Sequence, residues 1–160
     1  MPDISPVYAQ IAERTINILH TKCTRGIYAE RMFNTIKNGT SKYYPLEKIL
    51  WMKDFLEDKN QNLAACCLEC LCSKGFDLEE AREILQKRLQ DRFFSLKVIE
   101  VAEKINNPSI LLIYTEEEDL YINRVILALK NTKNESYLTT LMLSDNDTLV
   151  KSVNRIVDKK

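Results

Sequence analysis

The chain has 160 residues, of which 45% are hydrophobic and 29% charged, a composition that suits one domain with a packed core. Its 23 basic and 23 acidic residues cancel, which argues against a polybasic nucleic-acid binder or an acidic tail. With 3 Gly and 4 Pro, turn-forming residues are too sparse for a many-stranded barrel or sandwich, and an all-α protein is expected.

Apolar residues recur at helical spacing along most of the sequence. Ser5-Pro6 opens a first helix carrying Val7, Ile11, Ile16 and Leu19, with the Pro in a first turn that tolerates it. A second runs through Ala29, Met32, Phe33 and Ile36 and closes near Asn38-Gly39. Tyr44-Pro45 starts a third with Leu46, Ile49, Leu50, Met52 and Phe55. The fourth covers Leu63 to Leu71 and is closed by Lys74-Gly75. Asp77, helped by Glu80, caps a fifth with Ala81, Ile84, Leu85 and Leu89. A sixth carries Phe94, Val98, Val101, Ala102 and Ile105 and ends at Asn106-Asn107-Pro108. Ile110 to Tyr114 is a short seventh, and the acidic run Glu116-Glu117-Glu118-Asp119 suits the start of an eighth, Leu120 to Leu129. Ser136 to Leu143 is a ninth, and Asp145-Asn146-Asp147 leads into a tenth with Val150, Val153, Ile156 and Val157.

The start, Met1-Pro2-Asp3-Ile4-Ser5-Pro6, has neither the basic nor the apolar region of a secretory signal. The longest apolar run, Ile110 to Tyr114, is too short to span a bilayer. Of the cysteines Cys23, Cys66, Cys67, Cys70 and Cys72, four crowd within seven residues, which disfavours a disulfide framework. Reduced thiols in a cytoplasmic protein are expected, with no membrane association. The sequons at Asn38 and Asn134 then carry no glycan.

Ten short helices pair into five hairpins, and the pairs repeat. The polar residue before each even-numbered helix of the last four pairs is Asn60, Asp91, Asp119 and Asp147, at separations of 31, 28 and 28 residues. Three residues beyond each lie Leu63, Phe94, Ile122 and Val150. Seven beyond lie Cys67, Val98, Ile126 and Asn154, and ten beyond lie Cys70, Val101, Leu129 and Val157. This spacing draws one stripe along a helix, and Asn154 alone is polar, in a terminal unit expected to be atypical. The pattern resembles HEAT-type helical repeats of short length. Asp147-Thr148-Leu149-Val150-Lys151 follows that family's Asp, Val, basic order, and Asp119-Leu120-Tyr121-Ile122-Asn123-Arg124 follows it with the basic residue one place later. The units at Leu63-Ala64 and Phe94-Ser95 lack the basic residue. The resemblance covers residues 44–160, with 1–43 as an N-terminal hairpin. It implies a single helical-repeat domain over 1–160, a short α-solenoid of about five antiparallel helix hairpins wound into a HEAT-like superhelix.

Several residues have the composition of chemical sites. His20, Cys23, Cys67 and Cys70 could make a Cys3His zinc set. Cys67 and Cys70, however, hold the stripe positions of Val98 and Val101, so small apolar thiols in a helical core account for them and no metal or other cofactor is expected. His20, the only histidine, lies one turn from Cys23, and an ordinary surface or boundary histidine accounts for it better than a general base does. The glycines Gly26, Gly39 and Gly75 form no phosphate loop. The run at Glu116 reads as helix capping with a solvated connector. No catalytic residue is assigned.

Some HEAT-like proteins are alkylpurine DNA glycosylases, and the resemblance therefore leaves a nucleic-acid-binding protein of that kind as the alternative. Lys151, Arg155 and Lys159 make a basic stripe on the last helix, and Arg88, Arg92 and Lys97 a looser one. A groove neutralising several phosphates would leave a basic excess that the chain lacks, and Trp51, beside Leu50 and Met52, is expected in the core. Tyr43-Tyr44 could stack bases or anchor a loop. The preferred expectation is a non-enzymatic interaction module, an adaptor or a small inhibitor of the immunity-protein type, that binds another protein on a concave helical face. Residues off the stripe on even-numbered helices are the expected contacts: Gln61, Arg92, Tyr121, Asn123, Arg124, Lys151 and Arg155.

Overall fold

The structure is a computed structural model of the chain and describes residues 5–21, 26–115, 121–143 and 146–157. It is all-helical, with ten α-helices and no strand among the described residues. In order these are α1 (Ser5–Thr21), α2 (Gly26–Asn38), α3 (Leu46–Ile49), α4 (Gln61–Ser73), α5 (Arg82–Lys87), α6 (Arg92–Lys104), α7 (Pro108–Ile113), α8 (Ile122–Asn131), α9 (Glu135–Met142) and α10 (Asp147–Val157). Among the described residues no helix is long and apolar enough to cross a membrane.

Two expected helices are partly wound more tightly. After Ile49 the third becomes a 3-10 helix, Leu50–Glu57. There the Trp51 indole donates to the Lys48 carbonyl (2.9 Å), an acceptor that an α-helical turn would use at Met52. Trp51 is consequently half-buried at the edge of its helix and does not fill the core as expected. The fifth opens with a 3-10 turn, Leu78–Ala81, before α5 begins.

The chain divides into two compact units, Met1–Asp77 and Leu78–Lys160. In the first, α2 packs on α1 and on α4, and the 3-10 segment Leu50–Glu57 covers another side of α4. Its core holds Phe33, Ile36, Ile49, Met52, Leu56, Leu68 and Leu71, with Phe33 edge-on to Phe55 at 5.3 Å. Tyr44 is a buried loop anchor: a Cβ on Gly39 would fall 2.3 Å from its ring, so only Gly fits against it. Lys37 of α2 pairs with Glu69 of α4, and Lys74 donates to the Gly39 carbonyl. In the second unit α6 packs on α8 and α8 on α10, while α7 and α9 each pack against their neighbours in that row.

One closing turn recurs. Gly75 (φ 95°), Asn106 (φ 53°) and Lys133 (φ 59°) are left-handed at the ends of α4, α6 and α8. In each case the next amide reaches back: Phe76 to Leu71 (3.0 Å), Asn107 to Ala102 (2.8 Å) and Asn134 to Leu129 (2.9 Å). Lys133 follows Asn106 by 27 residues, one fewer than the 28 separating the expected helix starts. In α8 the expected stripe residues Ile122, Ile126 and Leu129 are buried, and so are Val125, Ala128 and the preceding Tyr121.

In α10 the capping side chain is Asn146, which accepts from Leu149 N (3.2 Å) as Asn60 accepts from Leu63 N (3.3 Å) in α4. The α10 stripe is accordingly Leu149, Val153 and Ile156, and Asn154 and Val157 face solvent. Only in α10 does the buried stripe lie one residue before the expected one. Asn154 looked exceptional because the stripe does not pass through it.

Gly75 and Lys133 occupy the same backbone geometry with opposite side-chain consequences. A Cβ at Gly75 would meet no atom within 4 Å, so the cost of Gly75→Ala is conformational, about 1 kcal/mol. Lys133→Gly relieves the same strain and should stabilise by about 0.5–1 kcal/mol. Urea unfolding midpoints moving in opposite directions for the two variants would bear this out; parallel shifts would contradict it.

Candidate functional site

The expected contact residues separate on inspection. Gln61 opens α4 in the first unit and is half-buried. The others lie in the second unit. Arg92 opens α6 and is exposed. Asn123 is exposed on α8, and its side-chain oxygen accepts from Arg155 Nη2 of α10 at 2.6 Å. Lys151 lies one turn before Arg155 and is also exposed. Arg124 is half-buried and pairs with Glu103 of α6 (2.7 Å).

Tyr121 has to be withdrawn from the surface set. It is 3% exposed, its ring stands edge-on to Tyr114 at 5.5 Å, and its hydroxyl donates to the Leu89 carbonyl (2.6 Å). Tyr121 is the cap residue of α8 and stands directly before it. Around the same carbonyl Ser95 Oγ donates to Arg88 O (3.1 Å) and Leu89 O (3.4 Å). Arg88 is buried, its guanidinium 4.6 Å from the Phe94 ring centre and its Nε 2.7 Å from Asp91. Lys97 pairs with Glu100 (3.4 Å). The looser basic stripe of Arg88, Arg92 and Lys97 thus leaves only Arg92 fully exposed. Lys159 and the acidic run from Glu116 to Asp119 lie outside the described residues.

Two exposed residues on the same helices are missing from the sequence-based set: Phe93 (53% exposed) and Leu127 (43% exposed). The signal for Phe93 was its position one residue before the stripe residue Phe94, about 100° round the helix from it. For Leu127 the signal was weaker, because it lies between Ile126 and Ala128, which are both buried.

The cysteines on α4 are unbonded thiols: Cys67 and Cys70 are buried, Cys66 and Cys72 half-buried. Cys67 Sγ donates to the Met52 carbonyl at 3.0 Å, a bond that needs the proton a metal ligand must lose. Burial, with the neighbouring cysteines, pushes the Cys67 pKa well up. Burial also pushes Cys70 to about 12, against the opposing pull of Lys74 and Lys37, and pushes Cys72 to about 12 with a contribution from Asp77. Among the described residues no three His, Cys, Asp or Glu side chains stand where they could hold a metal ion. Cys23 and the side chain of His20, the other half of the zinc set, lie outside what is described. What the second unit offers is a polar helical surface over an apolar core.

No family model matches the chain, and neither a curated protein nor a solved structure matches it significantly.

Two measurements probe this arrangement. Tyr121→Phe removes one hydrogen bond to a buried carbonyl and should cost about 1 kcal/mol in urea unfolding, where an exposed contact residue would cost nothing. Cys67, Cys70 and Cys72 keep their protons in the fold above the ordinary value of 9.0, while unfolded thiols lose theirs. Their contribution to stability should therefore be constant below about pH 9 and be lost as pH rises from there toward 12. Thermal melts of wild type and Cys72→Ser across that range check it: the variant should lose part of the decline.

Proposed function

We propose that this chain is a non-enzymatic protein-interaction module built from HEAT-like repeats, an adaptor or a small inhibitor of the immunity type. In this reading each helix pair is one turn of a short α-solenoid, and α6, α8 and α10 form a row whose exposed face receives the partner. The observation that carries it is the division of labour on those helices. The apolar stripe of each is committed to its neighbours, while Asn123, Lys151 and Arg155 stand together on the solvent side. The protonated thiols of α4 belong to the core and fit a reducing compartment such as the cytoplasm.

The test is affinity purification of the full chain from its native cells, with mass spectrometry and stoichiometry by light scattering. A protein partner recovered at a fixed ratio, and lost from the Arg155→Glu variant, is the expected outcome. Recovery of nucleic acid alone would replace this reading with the glycosylase-like alternative.

A further inference from the structure

Resting on the interaction reading above, the exposed face of α6, α8 and α10 also specifies the chemistry of what it binds. Two bonds establish which side chains share this face. Arg155 of α10 reaches Asn123 of α8, and Arg124 of α8 reaches Glu103 of α6. Steps of one helical turn then lead from Asn123 to Leu127, from Arg155 back to Lys151, and from Glu103 back through Glu100 and Lys97 to Phe93.

Two features of this face are unsatisfied. Phe93 and Leu127 are large apolar side chains left 53% and 43% exposed. Arg92, Lys151 and Arg155 are exposed cations, and none of them pairs with a carboxylate among the described residues. Arg155 is held by a neutral amide, which orients its guanidinium without cancelling its charge. Lys97 and Arg124, by contrast, are neutralised by Glu100 and Glu103. A chain of zero net charge therefore presents one face with a cationic excess beside apolar anchors.

We propose that this face binds an acidic segment of another protein, one that carries apolar side chains at helical spacing. Phe93 and Leu127 would take the apolar side chains, and Arg92, Lys151 and Arg155 the flanking carboxylates. A polynucleotide fits less well. Leu127 has no π-face on which a base could stack.

Fluorescein-labelled peptides of about twenty residues test the chemistry directly, with leucines at helical spacing and the remaining positions all Glu, all Gln or all Lys. A Glu peptide with Ala in place of Leu and an oligothymidylate of equal length complete the set. Fluorescence anisotropy should show the Glu–Leu peptide bound at least tenfold more tightly than any other probe. Lys151→Glu with Arg155→Glu should reverse the preference toward the Lys peptide. Phe93→Ala with Leu127→Ala should weaken the Glu–Leu peptide about tenfold while circular dichroism melts stay unchanged. Equal affinity for Glu and Gln peptides, tighter binding of the oligonucleotide, no peptide binding up to about 1 mM, or indifference to the charge reversal would each overturn the proposal. A native protein partner that binds wild type and both double variants alike would sink this face and leave the interaction reading intact. Absence of any protein partner would sink that reading itself.

Discussion

The second unit depends on burying the apolar stripes of α6, α8 and α10 against the helices beside them. The longest helix, α1, has 17 residues, and most have 13 or fewer, lengths at which an isolated helix is marginal in water. Each helix persists because its stripe is covered. Phe94, Val98 and Val101 of α6 are buried where α6 packs on α7 and α8, and Ile122, Val125 and Ile126 of α8 where it packs on its own neighbours. The closing turns at Asn106 and Lys133 serve the same end. They return the chain so that the following helix can pack on the stripe, and both accept a strained non-glycine backbone to do it.

The periodicity was legible because a helix has one repeat length whatever its context. All ten helices are foreshadowed by apolar residues at three- and four-residue steps, with ends displaced by a few residues. The register was less legible because the local signals are degenerate. Asn146 and Asp147 are adjacent and both can cap a helix, and Leu149 and Val150 are adjacent and both apolar. Which member of each pair is used depends on α8 and α9, which lie against α10, not on the ten residues around the cap. Tyr121 was misassigned for the same reason: a tyrosine beside Ile122 can be surface or core, and the choice depends on a carbonyl at Leu89, 32 residues away. The tightening after Ile49 was hidden because no breaker residue marks it, and the Trp51 indole bond to Lys48 that accompanies it has no signature in the sequence.

The candidate surface was legible in kind and only partly in detail. Counting positions off the stripe finds Arg92, Asn123, Lys151 and Arg155, because those positions face outward in any amphipathic helix. It cannot find which charges are cancelled. Arg124 and Lys97 look like Lys151 in the sequence, yet Glu103 and Glu100 neutralise them. It also undervalues apolar residues that are exposed, since Phe93 and Leu127 look like core until their neighbours are placed.

The polar contacts between α6, α8 and α10 do two separate jobs. Glu103 accepts from both Arg124 and Asn131, and Asn134 donates to Asn106, so residues of one helix pair meet their counterparts in the next. Exposed pairs of this sort add little stability, on the order of 0.5 kcal/mol each, but they disfavour slippage of one pair along another. Arg155 with Asn123 belongs to the same ladder but leaves its charge open. The ladder thus fixes helix register with bonds that are mostly self-neutralising, and the cations it leaves unneutralised fall at its two ends, at Arg92 and at Lys151 with Arg155. Register and open charge thus come from the same set of side chains. Such a face would recognise a partner by charge position as much as by charge sign.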